Sequence, residues 1–117
     1  MERTPIRLLR GTLDVMILKA LSWGPLHGYA ISRWIAATTE EAFAIQEGAL
    51  YPALRRLEGR GLLESRWSET DTGREARFYR LTAAGRERLR SEVRVWTSYV
   101  EAMSRVLQSI SAAPDRP

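Results

Sequence analysis

Between Thr12 and Ser22 the chain reads TLDVMILKALS, and Leu13, Met16, Ile17, Ala20 and Leu21 fall on one face at helical spacing. Thr12 is available as its N-cap, and Gly24 and Pro25 end it. After that turn GYAISRWIAA carries Ile31, Trp34 and Ile35 on a second short helix, closed by Thr38, Thr39, Glu40 and Glu41. A third helix is predicted from Gly48 to Arg60, with Leu50, Leu54 and Leu57 as a narrow apolar stripe and Gly61 as its stop. Pro52 is tolerable there because it falls near the first turn, where few intrahelical N–H bonds have begun.

The period then changes. LLESRWS and ARFYRL nearly alternate and flank the polar connector ETDTGRE, which predicts a two-stranded hairpin over roughly Leu62 to Leu81. Thr82 is positioned to cap a long helix from Ala83 to about Ser109. Along it Leu89, Val93, Trp96, Val100, Met103, Leu107 and Ile110 recur at alternating steps of four and three, the a and d positions of a heptad. So small a domain has too little protein of its own to cover that stripe, so a second copy is expected to cover it.

This order predicts a mainly α fold with a small β-hairpin: a winged helix-turn-helix domain plus a long C-terminal dimerisation helix. The expected organisation is a DNA-binding domain over 6–82, a dimerisation helix over 83–110, and flexible tails at 1–5 and 111–117. In this architecture the third helix enters the major groove and the wing lies along the backbone or minor groove.

Composition narrows the picture. The 117 residues, 44% of them hydrophobic, suit one compact domain with an appended element. No run of about 18 uncharged apolar residues is present, and the N-terminus lacks a signal-peptide pattern, so a cytoplasmic protein with no membrane partner is expected. The absence of cysteine removes disulfides and thiolate chemistry. The net charge of +4 is carried almost wholly by arginine, Lys19 being the only lysine. Arginine suits phosphates and guanine edges, although a GC-rich genome gives the same bias.

Projected at about 100° per residue, the third helix turns Gly48, Ala49, Pro52, Arg55, Arg56 and Gly59 away from its leucines, with Tyr51 on the flank. Small residues at the leading end and arginines one turn later can approach DNA closely; a solvated helix face accounts for the same charges. In the wing, Arg74, Arg77 and Arg80 could reach phosphates, with Gly73 permitting the turn. Glu69, Asp71 and Glu75 dilute that charge, and a merely solvated tip is the competing reading.

Three stretches, GTLDVMILKALSWGPLHGYAI, GALYPALRRLEGRGLLESRW and RFYRLTAAG, resemble successive signatures of the PadR family of bacterial transcriptional regulators, in order and at the family's spacing. With one long C-terminal helix and no larger effector domain, the chain resembles the short branch. The resemblance implies a homodimeric repressor that reads an inverted-repeat operator in double-stranded DNA through the segment from Gly48 to Arg56, with Gly48, Ala49, Tyr51, Pro52, Arg55 and Arg56 as the expected contacts beside Arg74 and Arg77 of the wing; Tyr29 either contacts the DNA backbone or packs beside the third helix. Ala49 stands where the family commonly has a hydroxyl residue, which removes one hydrogen bond to DNA. It also implies that a small aromatic effector could stack on Trp96 and Tyr99, against the plainer reading of Trp96 as dimer core.

His27, the only histidine, has neither a convergent carboxylate nor a second ligand, so a structural or phosphate-contacting place at the second helix is expected. No catalytic residues, metal ligands or cofactor are predicted, since the sequence offers no phosphate loop, metal cluster or nucleophile with a base partner. The rival reading is a protein–protein interaction module that uses the C-terminal helix without binding DNA.

Overall fold

A computed structural model describes residues 11–110; the tails predicted at 1–5 and 111–117 lie outside that span. The elements in order are α1 (Thr12–Ala20), a short 3-10 turn (Leu21–Trp23), β1 (Leu26–His27), α2 (Gly28–Thr38), α3 (Glu47–Gly59), β2 (Leu63–Glu69), β3 (Glu75–Leu81) and α4 (Ala83–Leu107). The fold is therefore mainly α with a small sheet, as its periodicities predict.

The helix boundaries follow local chemistry, with two corrections. Thr12 does not cap α1: Gly11 takes that place at φ 86°, a left-handed conformation that glycine adopts readily. Thr12 lies inside the helix instead, and its hydroxyl is buried without a hydrogen-bond partner. The predicted last turn of the same helix tightens into the 3-10 segment, whose Leu21 remains fully buried. Thr82 behaves as expected, its hydroxyl accepting from the Gly85 N–H at 3.0 Å at the start of α4.

The sheet has three strands, in the order β1-β3-β2, where the sequence predicts two. β2 and β3 form the antiparallel hairpin with Leu63 opposite Leu81 and Trp67 opposite Arg77. β1 adds only Leu26 and His27, opposite Tyr79 and Phe78, and runs directly into α2. A two-residue strand has no period to detect, so it escapes sequence reading.

One apolar core joins α1, α2, α3, the inner end of the hairpin and the start of α4. Ile17, Leu18, Leu21, Ile31, Ile35, Leu50, Leu54, Leu57 and Leu63 are its fully buried large side chains. Leu62, Tyr79, Leu81 and Leu89 close it on the sheet and α4 side. The three predicted leucines of α3 are thus what clamps that helix to the domain, and Ala53 is buried beside them.

The α3–β2 junction docks tightly on α4. Gly61, at φ 76°, ends α3, and its carbonyl accepts from the Thr82 hydroxyl at 2.6 Å. The Leu62 carbonyl accepts from the Thr82 N–H at 3.1 Å and faces Gly85 so closely that a Cβ there would stand 2.1 Å from it.

Candidate nucleic-acid interface

Burial of Leu50, Ala53, Leu54 and Leu57 leaves Gly48, Ala49, Tyr51, Pro52, Arg55, Arg56 and Gly59 exposed on α3. The predicted two-faced helix is therefore present. Pro52 sits deeper than expected, however: it is the sixth residue of a helix that begins at Glu47, one turn past the start. Lacking an N–H, it cannot serve the Gly48 carbonyl four residues back, but the turn is exposed and water can.

The two arginines of α3 differ. Arg56 is ion-paired with Asp14 of α1 and donates a hydrogen bond to it, so it fastens the helix to its neighbour. Arg55 is exposed and forms no ion pair among the described residues.

A second surface lies between the start of α2, the flank of α3 and the wing. His27 caps α2, its Nδ1 accepting from the Ala30 N–H at 3.2 Å, while its ring meets Phe78 edge-on and stacks near Tyr29. That is the structural role, and it requires Nδ1 to be unprotonated. Gly28 lets Tyr51 lie flat against α2: a Cβ at Gly28 would come within 2.8 Å of the Tyr51 ring. The tyrosine's direction is thus set by a glycine 23 positions earlier in the chain.

Residues opposite each other in the hairpin share a face, so Ser65, Trp67, Arg77 and Tyr79 point the same way. The inner members pack on the core and the outer ones, with Arg74, line a cleft of about 630 Å³ that also includes Tyr29 and Tyr51. Four of the predicted residues, Tyr29, Tyr51, Arg74 and Arg77, are brought together here. Gly48, Ala49, Pro52 and Arg55 continue along α3 outside the cleft lining. Asp71 and Glu75 lie on the rim, so its charge is mixed.

The two wing arginines also differ. Arg77 donates through Nε to the Ser65 hydroxyl at 2.8 Å and stands 3.6 Å from Glu58 of α3. Arg74 forms no ion pair among the described residues, and Arg80 is paired with Glu64 on the other face of the hairpin. Burial pushes the Tyr79 phenol above its ordinary range, partly countered by the nearby Arg77 charge. Trp67 is the residue that sequence reading passes over as a site: it is 64% exposed and lines the cleft opposite Arg77. Its alternation with Ser65 and Glu69 was the available signal.

On α4 the predicted stripe divides. Leu89 is buried in its own chain's core, whereas Val93, Val100, Met103 and Leu107 are exposed. The helix ends at Leu107, so Ile110, fully exposed, falls beyond the seam that the heptad count assigned to it. Trp96 meets Tyr99 edge-on at 6.2 Å and lines an apolar hollow of about 350 Å³ with Met16, Trp34, Ile35 and Val93.

Residues 17–91, spanning α2, α3, the wing and the start of α4, match the transcriptional regulator PadR-like family. The chain belongs to the PadR family. Among its relatives, the transcriptional regulator Rv3488 of Mycobacterium tuberculosis is 34% identical over 85 residues, 73% of this chain and 76% of its own length. A solved transcriptional regulator from Clostridium thermocellum is 32% identical with a TM-score of 0.73, covering 82% of this chain and 90% of that one. Bacillus subtilis PadR, solved with operator DNA, is 23% identical with a TM-score of 0.62 and covers 89% of this chain and 50% of its own. The PadR family and these relatives are transcriptional regulators. Among the described residues of this PadR-family chain no helix is long and apolar enough to cross a membrane, and no group of three or more His, Cys, Asp or Glu could hold a metal ion.

Proposed function

We propose that this PadR-family regulator is a cytoplasmic homodimeric repressor that reads an inverted-repeat operator. In this reading 6–82 is the DNA-binding unit and 83–110 the dimerising one. The observation that carries it is the uncommitted outer face of α3, where Gly48, Ala49, Tyr51, Pro52 and Arg55 stand exposed beside a cleft lined by Tyr29 and Arg74. Small residues at the leading end of α3 allow close approach to base edges, and Arg55 supplies a planar donor fork one turn later. Arg74 is placed for a phosphate. Bacillus subtilis PadR, which shares the fold, was solved with operator DNA, and that supports DNA as the partner here.

Two α3 helices must be held about one DNA turn apart, roughly 34 Å, to read both halves of such an operator. The uncovered residues of α4 are the surface for that pairing. Binding sites recovered from a random DNA pool test the reading, since a homodimer returns a two-fold motif. Affinity should fall steeply as salt rises. A chain that serves only as a protein-interaction module instead shows little salt-dependent affinity for DNA.

Arg55→Ala is expected to weaken binding to the recovered operator about tenfold or more, because a bidentate base contact contributes roughly 1–3 kcal/mol. Its thermal melt should match the wild type, and unaltered operator affinity in this variant removes that face from the interface.

The apolar hollow lined by Trp96 and Trp34, with Tyr99 packed edge-on against Trp96 outside it, supports release by a small planar aromatic ligand. Titrating a panel of planar aromatics should quench tryptophan emission saturably, and Trp96→Phe should diminish the response. A flat signal across the whole panel argues against an aromatic effector.

A further inference from the structure

Three side chains tie the wing to the recognition helix. Glu58, in the last turn of α3, presents Oε2 to the hairpin, where the Ser65 hydroxyl donates to it at 2.6 Å. The Arg77 guanidinium stands 3.6 Å from the same oxygen, and its Nε donates to the Ser65 Oγ at 2.8 Å. Ser65 is thus a relay: it accepts from the arginine on β3 and donates to the carboxylate on α3. In the ladder Ser65 lies opposite Tyr79 and Arg77 opposite Trp67, so Ser65 and Arg77 are diagonal neighbours on the face that looks at α3.

We propose that Glu58, Ser65 and Arg77 form a strut that sets the angle of the wing against α3, and that Arg77 serves DNA binding as a positioning residue through this strut. The proposal rests on the DNA-binding reading above and changes what one of its arginines does. For Arg77 to turn the Nε and Nη2 edge of its guanidinium onto a phosphate it must release both partners. Glu58, with 29% of its side chain exposed, would then be left as an uncompensated, largely enclosed carboxylate on the helix that approaches DNA. Arg74, three residues nearer the tip and without an ion pair among the described residues, is free to meet a phosphate at no such loss.

The sign of the effect separates the two roles. If Arg77 contacts a phosphate, Glu58→Gln releases it and adds one positive charge, so binding tightens. If the strut sets the wing, Glu58→Gln weakens binding despite the added charge. Ser65→Ala tests the relay without altering charge, and Ser65→Thr restores the hydroxyl.

The experiment is a salt titration of affinity for the selected operator with the full chain and its Glu58→Gln, Ser65→Ala, Ser65→Thr and Arg77→Gln variants. A second readout is amide exchange at residues 66–68 and 76–78. The strut predicts at least about threefold weaker binding in Glu58→Gln and Ser65→Ala, with recovery in Ser65→Thr. It also predicts an Arg77→Gln salt slope equal to wild type and at least about threefold faster wing exchange in Ser65→Ala. Tighter binding in Glu58→Gln, or an Arg77→Gln slope shallower by about 0.9 per bound subunit, overturns the proposal. A wild-type chain without salt-dependent affinity for any duplex overturns the DNA-binding reading instead, and the exchange arm then judges the strut alone: unchanged rates overturn it.

Discussion

A Val100→Glu variant is expected to sediment as a monomer and to lose operator affinity by about a hundredfold or more. Val100 is 53% exposed in the single chain, so the substitution leaves the chain's own core intact. In a paired seam each copy would carry an unpartnered carboxylate at the centre of the stripe, close to its twin. Leaving such a charge buried costs about 3–5 kcal/mol, and every 1.4 kcal/mol is a factor of ten in association. The monomer should keep a wild-type far-UV spectrum over the winged part while binding a half-site only weakly. Analytical ultracentrifugation at micromolar concentration checks it, and a persisting dimer there places the contact on some other surface.

Gly85→Ala should destabilise the fold by about 3 kcal/mol, lowering the melting temperature by on the order of 15 °C. The direction is informative because alanine at an ordinary helical glycine stabilises by about 1 kcal/mol. Here the added methyl would stand 2.1 Å from the Leu62 carbonyl and 3.2 Å from Leu81 Cδ2. Backbone cannot rotate aside as a side chain can, so α4 must lift from the α3–β2 junction. That strains the two bonds by which Thr82 holds Gly61 and Leu62. A melt equal to or above wild type refutes the close docking.

The contrast between these positions explains how much was legible in the sequence. Periodicity identifies elements and faces, and it does so well here: Leu50, Leu54 and Leu57 are buried, and the helices and hairpin succeed one another as the pattern requires. Partnerships between elements carry no period. Arg55 and Arg56 look equivalent on a helical projection, yet only Arg56 meets Asp14, from a helix 42 residues earlier. Arg77 likewise reads as a wing cation until Glu58 and Ser65 are found beside it. Gly28 reads as part of a motif, while its reason is the Tyr51 ring that occupies its missing Cβ. The heptad stripe is real as a spacing, but its first member is consumed by the domain's own core and its last lies beyond the helix end.

β1, the smallest element, has a consequence out of proportion to its two residues. It hydrogen-bonds to β3 and becomes α2 without a connecting residue, so the wing and α2 are spliced into one body. A protein joined in this way has little freedom to adjust the distance between its two grips. In the proposed complex the misfit between protein and operator is therefore taken up by the duplex, whose groove width and bend must match a fixed gauge. Base pairs that no side chain touches would then influence affinity through their stiffness alone.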